Sequence, residues 1–458
     1  MELMNSSATS TGLVRSLGLK EATALNMIDM VGIGPFIVLP IVIQSMHGPH
    51  AIIAWLAGAL LALVDGCIWA ELGAAMPQAG GSFVFLRESY GKSSWGLLMS
   101  FLFIWQTVFQ APLVIASGAI GFSQYASYLL PITPLFQKAI SGSVVILIFV
   151  LLYRNIKDIG KISMLMWIAV VGTMLWLIIS GGLHFNPDIA FGGFSEGPGF
   201  MSSIFFVGLG HAMLKTVYSY LGYYNVCHLG GEISEPKKVI PKSIFISILG
   251  IALLYCAMHI SIVGVIPWQD AKQSTFIIST FIEIVHGPLA AKIATGLILF
   301  IAFASLFSVT LGYSRIPYAA AKEGAFFSLF SRVHPTEHFP HVSLIVLCAI
   351  ACIFSLLFRM SEIISAIVAM RALVQFIGGA IGLIILRKRK GDGFFPWKMP
   401  LYPLPIIFSV LIWFGLFLST GYYALMGIAF LSIGVILYLI MAHKQSIYPF
   451  AKMGHHES

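Results

Sequence analysis

Twelve continuous apolar segments, separated by short loops, constrain this chain more than any other feature of its sequence. They run near residues 22–46, 51–75, 95–127, 139–153, 161–182 and 201–229, then 243–266, 289–318, 342–358, 362–386, 404–419 and 421–441. A helix needs about 20 apolar residues to cross a bilayer, and most of these segments are near that length. The runs are continuous rather than alternating, which predicts helices and not a β-barrel. The segment at 95–127 exceeds one bilayer thickness, so it is expected to tilt or to extend beyond the hydrocarbon. Composition agrees: 58% of the residues are hydrophobic and 10% are charged, against about 25% charged in soluble domains. A water-soluble globule, a coiled coil and a disordered chain are therefore excluded. The expected fold class is an all-α polytopic membrane protein of twelve transmembrane helices. The five cysteines lie in or beside apolar segments and lack zinc-site spacing, so neither a disulfide framework, a metal site nor a cofactor is expected. Glu2 and the lack of a small-residue cleavage site predict insertion by the first span rather than by a signal peptide.

The formal net charge is +8. A nucleic-acid binder would carry that charge clustered on a wet surface, and here too little of the chain is wet, so no nucleic-acid partner is expected. Position explains the charge better. Of the 26 basic residues, twenty fall in one alternating set of loops, among them Arg87, Lys237, Arg315 and the run Arg387–Lys390. Four fall in the opposite set: Lys138, Lys272, Lys292 and Arg359. The positive-inside rule then predicts a multi-pass protein of the plasma or bacterial inner membrane with both termini cytoplasmic. Lys215 and Arg371 are left over, inside apolar segments.

Two segments are interrupted. In the first, Gly32, Gly34 and Pro35 break the helix: proline lacks an N–H and its ring opposes continuation. In the sixth, Ser219, Gly222 and Asn225 weaken the helix amid aromatic residues. Broken backbone is tolerated in a membrane only where it is buried or lines a cavity. Both breaks open a group of five spans, the sequence signature of an inverted-repeat transporter with its site at the repeat interface. The expected organisation is a cytoplasmic N-terminus (1–21), a first repeat (22–182), a second repeat (200–386), a helical hairpin (403–442) and a cytoplasmic C-terminus (443–458). Freed N–H groups suit a carboxylate and freed carbonyls suit an ammonium, and an α-amino acid carries both.

Five motifs in register resemble those of the amino acid–polyamine–organocation (APC) transporter superfamily. They are Gly32-Ile-Gly-Pro-Phe-Ile37, Pro77-Gln-Ala-Gly-Gly-Ser-Phe-Val-Phe85, Tyr218-Ser-Tyr-Leu-Gly222, Gly231-Glu-Ile-Ser-Glu-Pro236 with Ile240-Pro241, and Ser314-Arg-Ile-Pro-Tyr-Ala-Ala-Ala-Lys-Glu-Gly324. The resemblance implies a LeuT-like fold of five-plus-five inverted repeats, helices 1 and 6 broken, with two added helices. It implies secondary transport of amino acids, polyamines or other organic amines by alternating access, with proton symport and substrate exchange (antiport) both open. By position, the substrate carboxylate would meet N–H groups at Ile33 and Gly34. The amine would meet carbonyls near Met30 and at Ser219, Tyr220 and Leu221 beside the Gly222 break, and Tyr218 would cap the site. Two departures stand out. Pro35 replaces the usual isoleucine and removes a backbone donor. The stretch Trp167-Ile-Ala-Val-Val171 lacks the lysine by which some proton-coupled relatives replace a sodium ion.

A charge at bilayer depth costs about 2.5–3.5 kcal/mol on insertion scales, so such residues are functional candidates. Asp29 lies three residues before Gly32 and is expected to bind a substrate ammonium or take up a proton; the alternative is a packing role. His211, Lys215 and Tyr218 share a helix face that would line an outer vestibule. Lys215 could repel cations, attract carboxylates, pair with an acidic residue or act in a charge relay. Arg371 could pair with an aspartate or contact an anionic substrate group. Gln110, followed by Pro112, marks a kink expected to face the site. Glu71 is expected to order the Gly80-Gly81 loop. The expected partners are a small-molecule substrate, protons and membrane lipids. An embedded enzyme would need a constellation such as HExxH or GxSxG, and neither is present. A transporter-derived sensor of amino acids or amines with little flux is the remaining alternative.

Overall fold

The computed structural model describes residues 15–78, 80–153, 159–192, 199, 202–336 and 339–450. Much of the expected N- and C-terminal segments, with Arg154, Lys157 and Lys452, lies outside them. The chain runs through α1 (Leu19–Met30), α2 (Gly34–Met46), α3 (Ala51–Ala75), α4 (Ser82–Tyr90), α5 (Trp95–Leu129), α6 (Pro134–Leu152) and α7 (Ile159–Leu183). It continues through α8 (Pro187–Phe191), α9 (Ser203–Tyr220), α10 (Asn225–His228), α11 (Pro236–Val263), α12 (Trp268–Ala271), α13 (Ile277–His286) and α14 (Pro288–Lys322). The last helices are α15 (His341–Leu357), α16 (Met360–Arg371), α17 (Gly378–Lys390), α18 (Leu404–Ser419) and α19 (Tyr422–Gln445). Among the described residues the regular structure is helical, apart from one isolated bridge between Leu17 and Ile233.

Local chemistry sets several helix starts. Thr133 caps α6 by accepting from the Phe136 N–H at 3.3 Å, and Pro134 supplies the fixed first φ. Ser202 caps α9 in the same way through the Phe205 N–H at 3.2 Å.

Among the described residues eight helices are long and apolar enough to cross a bilayer, counting Glu362–Lys390 through α16 and α17 as one, and the pair α1–α2, bent by 49°, makes a ninth as a single broken span. Three further expected segments form α9, α15 and α18, of 18, 17 and 16 residues. The 35 residues of α5 reach about 52 Å at 1.5 Å per residue, well beyond the roughly 30 Å hydrocarbon layer. Exposed Leu147, Val150, Leu165, Ile179, Leu411, Phe414, Leu425 and Ile436 give α6, α7, α18 and α19 apolar outer faces suited to lipid. Sequence reading missed α13. It is a ten-residue helix, too short to register as a span, with Ile277, Ile278, Phe281 and Ile282 buried where it packs on α14.

The broken helices lie inside the bundle. α1 packs on α11, α7 and α14; α2 packs on α9; α3 packs on α11 and α9; and α5 packs on α14 and α15.

Two buried carboxylates hold this frame. Asp65 of α3 accepts from Trp69 Nε1 at 2.6 Å, the Tyr223 hydroxyl at 2.6 Å and the Ser409 hydroxyl at 2.8 Å. It thereby joins α3 to α18 and to the chain just past Gly222. Glu71, fully buried, accepts from Arg387 Nε at 2.6 Å, Arg387 Nη2 at 2.8 Å and the Met399 N–H at 2.9 Å. This corrects the sequence reading of Glu71: its bonds go to α17 and the segment after it, not to the Gly80-Gly81 loop. Sequence distance hid those partners.

Candidate functional site

Between the two interruptions lies a cavity of about 70 Å³. The first interruption is abrupt. α1 ends at Met30, Ile33 precedes α2, and no side chain caps the new helix start. The first N–H groups of α2 therefore lack intrahelical acceptors, and Pro35 contributes none. The glycines here permit close approach. A Cβ on Gly32 would fall 2.8 Å from the Ser305 hydroxyl, and one on Gly34 would fall 3.1 Å from the Tyr218 ring.

The second interruption follows Tyr220. Gly222 has φ +130°, a region that residues with a Cβ rarely adopt. A Cβ there would also lie 2.9 Å from the Asp29 carbonyl carbon and 3.0 Å from the Met30 nitrogen. Gly222→Ala should destabilise the fold by at least about 1–3 kcal/mol, the usual cost of a residue held in a sparsely populated region. A melting curve of the detergent-purified variant checks this, and an unchanged midpoint would contradict it.

Side chains fasten one break to the other. Asn26 Nδ2 donates to the Tyr223 carbonyl at 2.9 Å, and Asn26 Oδ1 accepts from the Val226 N–H at 3.0 Å. The Tyr255 hydroxyl reaches the Met30 carbonyl at 2.8 Å and the Ser219 carbonyl at 3.1 Å. Two of the carbonyls that the resemblance assigns to the amine thus already have a partner. Each still has a second lone pair.

Nine of the residues picked out from sequence line the cavity: Asp29, Met30, Ile33, Gly34, Tyr218, Ser219, Leu221, Gly222 and Arg371. Three do not. Gln110 is buried in α5 outside the wall; Val114, Ser117 and Gly118, further along α5, line it instead. Tyr220 turns away to pack on Trp55 and Tyr255, with ring centroids 6.4 and 5.3 Å apart. Lys215 is partly buried on α9 and has no carboxylate within 4 Å among the described residues. His211 is exposed and borders a separate open depression with Gln44 and His47. Tyr218 shares a hydrogen bond of 2.7 Å with the Ser117 hydroxyl, which fixes its ring against Gly34.

Sequence reading named Asn225 only for weakening the second break, and it missed Asn26, Tyr255, Ser117 and Tyr313, whose partners lie far along the chain.

The polar atoms of the cavity are sorted by type. Asp29 Oδ2 accepts from Asn225 Nδ2 at 2.5 Å; the Ser308 hydroxyl lies beside the same carboxylate, but Asp29 Oδ1 and Asn225 Oδ1 meet no donor in good hydrogen-bond geometry. Asp29 and Asn225 also border a second cavity of about 20 Å³, so they stand between the two. Arg371 ends α16, immediately before a π-helical turn at Ala372–Ile377, a wider turn often found at functional sites. Arg371 is 2% exposed. Its Nη1 donates to the Tyr224 hydroxyl, and its guanidinium carbon lies 5.7 Å from the Tyr224 ring centroid and 5.6 Å from that of Tyr313. Nε and Nη2 have no acceptor. A carboxylate, an amide and a guanidinium, each with a buried atom that lacks a partner, therefore line one small cavity. No group of three or more His, Cys, Asp or Glu side chains placed to hold a metal ion occurs among the described residues.

A helical bundle built round two broken helices, with such a cavity between the breaks, has the form of a membrane transporter. The amino acid permease family model matches residues 17–442, and the chain belongs to that family. It is therefore a multi-pass membrane transporter and not an enzyme. The serine/threonine exchanger SteT of Bacillus subtilis (strain 168) is 26% identical, over 86% of this chain and 89% of its own. The methylthioribose transporter of the same organism is 24% identical, over 98% and 97%. Its aspartate-proton symporter is 25% identical, over 81% and 74%. These names all denote transport and lend the sensor alternative no support.

Proposed function

We propose that this permease moves an amino acid or related organic amine across a cell membrane by alternating access, in the manner of a secondary active transporter. One observation carries the reading: Asp29 and Asn225, each with a donor-free oxygen, line the same cavity as the uncapped start of α2. The oxygens suit an ammonium, and the helix start suits a carboxylate. The ammonium sits at Asp29 and Asn225, the carboxylate meets the N–H groups of Ile33 and Gly34, and the Leu221 stretch supplies further carbonyls. Asp29, on the wall of both cavities, can exchange a substrate ammonium for a proton, which makes it the coupling candidate.

The architecture proposed with this function is twelve spans in two inverted repeats, 22–182 and 200–386, plus the hairpin 403–442. Support comes from the breaks, which occupy the first member of each five-span group. The loop bias of the basic residues supports cytoplasmic termini.

Counterflow in proteoliposomes tests the function. Radiolabelled substrate should accumulate against unlabelled substrate trapped inside; saturable binding without flux would leave a sensor instead. Tyr218→Ala should weaken substrate retention, with apparent affinity falling about tenfold, a typical result of removing a buried aromatic contact. Unchanged uptake and affinity in that variant would deny Tyr218 a place in the gate.

A further inference from the structure

Arg371 at the end of α16 and Arg387 in α17 differ in one respect. Arg387 uses the Nε/Nη2 edge of its guanidinium to hold Glu71 by two parallel hydrogen bonds of 2.6 and 2.8 Å. Arg371, four turns earlier, has the same edge empty. Its Nη1 is taken by the Tyr224 hydroxyl, its flanks are covered by two tyrosine rings, and Nε and Nη2 have no acceptor although the residue is 2% exposed. No carboxylate lies within 4 Å of it among the described residues. It lines the cavity. The Nε/Nη2 edge is the fork that matches a carboxylate's two oxygens, and a buried charge is costly unless it is paired.

We propose that Arg371 is the subsite for a second substrate carboxylate, so that the permease takes acidic amino acids. This rests on the transporter reading above and sharpens it. An α-amino acid with a neutral side chain is already complemented at the first break. Its ammonium meets Asp29 and Asn225, and its carboxylate meets the start of α2. That occupant leaves the guanidinium bare. A ligand with one more carboxylate, reaching across to α16, fills the open fork and balances its charge. A polyamine places positive charge against Arg371 and is excluded.

The test uses the full chain, purified in detergent and then reconstituted, with L-aspartate, L-glutamate, L-alanine, L-serine and putrescine as probes. Aspartate or glutamate should raise the melting midpoint by mass action and support counterflow, alanine and serine should do so at least about tenfold more weakly, and putrescine should do neither. Arg371→Gln and Arg371→Lys should each lower apparent affinity for the acidic amino acid at least about tenfold, the loss expected for hydrogen bonds to a charged group. The loss for alanine in both variants should be smaller than the loss for the acidic amino acid. No melting shift with either acid, or equal losses for alanine and glutamate in both variants, would overturn the subsite. The readouts separate the two proposals. Flux of alanine without any response to the acids overturns the subsite and leaves transport. A glutamate shift that depends on Arg371, with no flux of any probe, leaves the subsite and overturns transport.

Discussion

Asp29→Asn should abolish uptake in proteoliposomes, or lower it at least about tenfold, while the protein remains folded. The substitution is nearly isosteric, so the cavity keeps its shape and α1 its packing. What disappears is the formal charge and one acceptor. The wild-type carboxylate already spends Oδ2 on Asn225, and its Oδ1 meets no donor in good geometry. An asparagine offers one carbonyl oxygen where two were present, and that oxygen is claimed by the Asn225 amide. The ammonium then faces an amide N–H₂ instead of an anion, and hydrogen bonds to charged groups are worth about 1.5–3 kcal/mol each. Uptake measured across a range of pH is the decisive readout. Normal, pH-dependent transport by the variant, with an unshifted melting curve, would remove Asp29 from both substrate binding and coupling.

The second large effect concerns stability. Glu71→Ala should lower unfolding free energy by about 3–5 kcal/mol, the range for breaking a buried ion pair by removing one partner. The carboxylate is fully buried and accepts three hydrogen bonds, two from Arg387 and one from the Met399 backbone. Its loss leaves a guanidinium that is only 11% exposed with Asp392 Oδ1, 3.8 Å away, as its remaining carboxylate, and a buried Met399 N–H without its acceptor. Arg387→Ala should cost a comparable amount. The double substitution should cost much less than the sum, because residues in one network are not additive. Denaturant melts of the four proteins in one detergent would decide the matter. Additive losses would mean that the pair does not act as a unit.

How much of this was legible in the sequence depends on range. The break at Gly32, Gly34 and Pro35 is a local property, since three residues unable to sustain a helix in an apolar run announce themselves. The same holds for Gly222 and for the positions of most spans. Asp29 and Arg371 were visible as charges in apolar sequence, and the structure places both on one cavity. The partners were not visible. Asp65 reaches Ser409 across 344 positions, and Tyr255 finds two carbonyls on two other helices. Such pairings are products of packing, which no window of sequence contains. Gln110 shows the converse. A polar residue next to Pro112 suggests a lining position, but Gln110 lies about two turns below Ser117 on the same face of α5, and it is Ser117 and Gly118 that stand level with the cavity.

Asn26 has a consequence for how the molecule can move. It grips the chain after the second break at Tyr223 and Val226. At the far end of α1 the Ser16 and Leu17 N–H groups donate to the Glu232 carbonyl at 3.0 Å, and the Ser234 N–H donates to the Leu17 carbonyl at 2.8 Å. α1 and residues 223–234 are thus pinned together at both ends, like two bars of a parallelogram with the hinges locked. The glycine-rich breaks at Gly32 and Gly222 lie outside the pinned part. A movement that keeps these bonds carries α1 and α10 together.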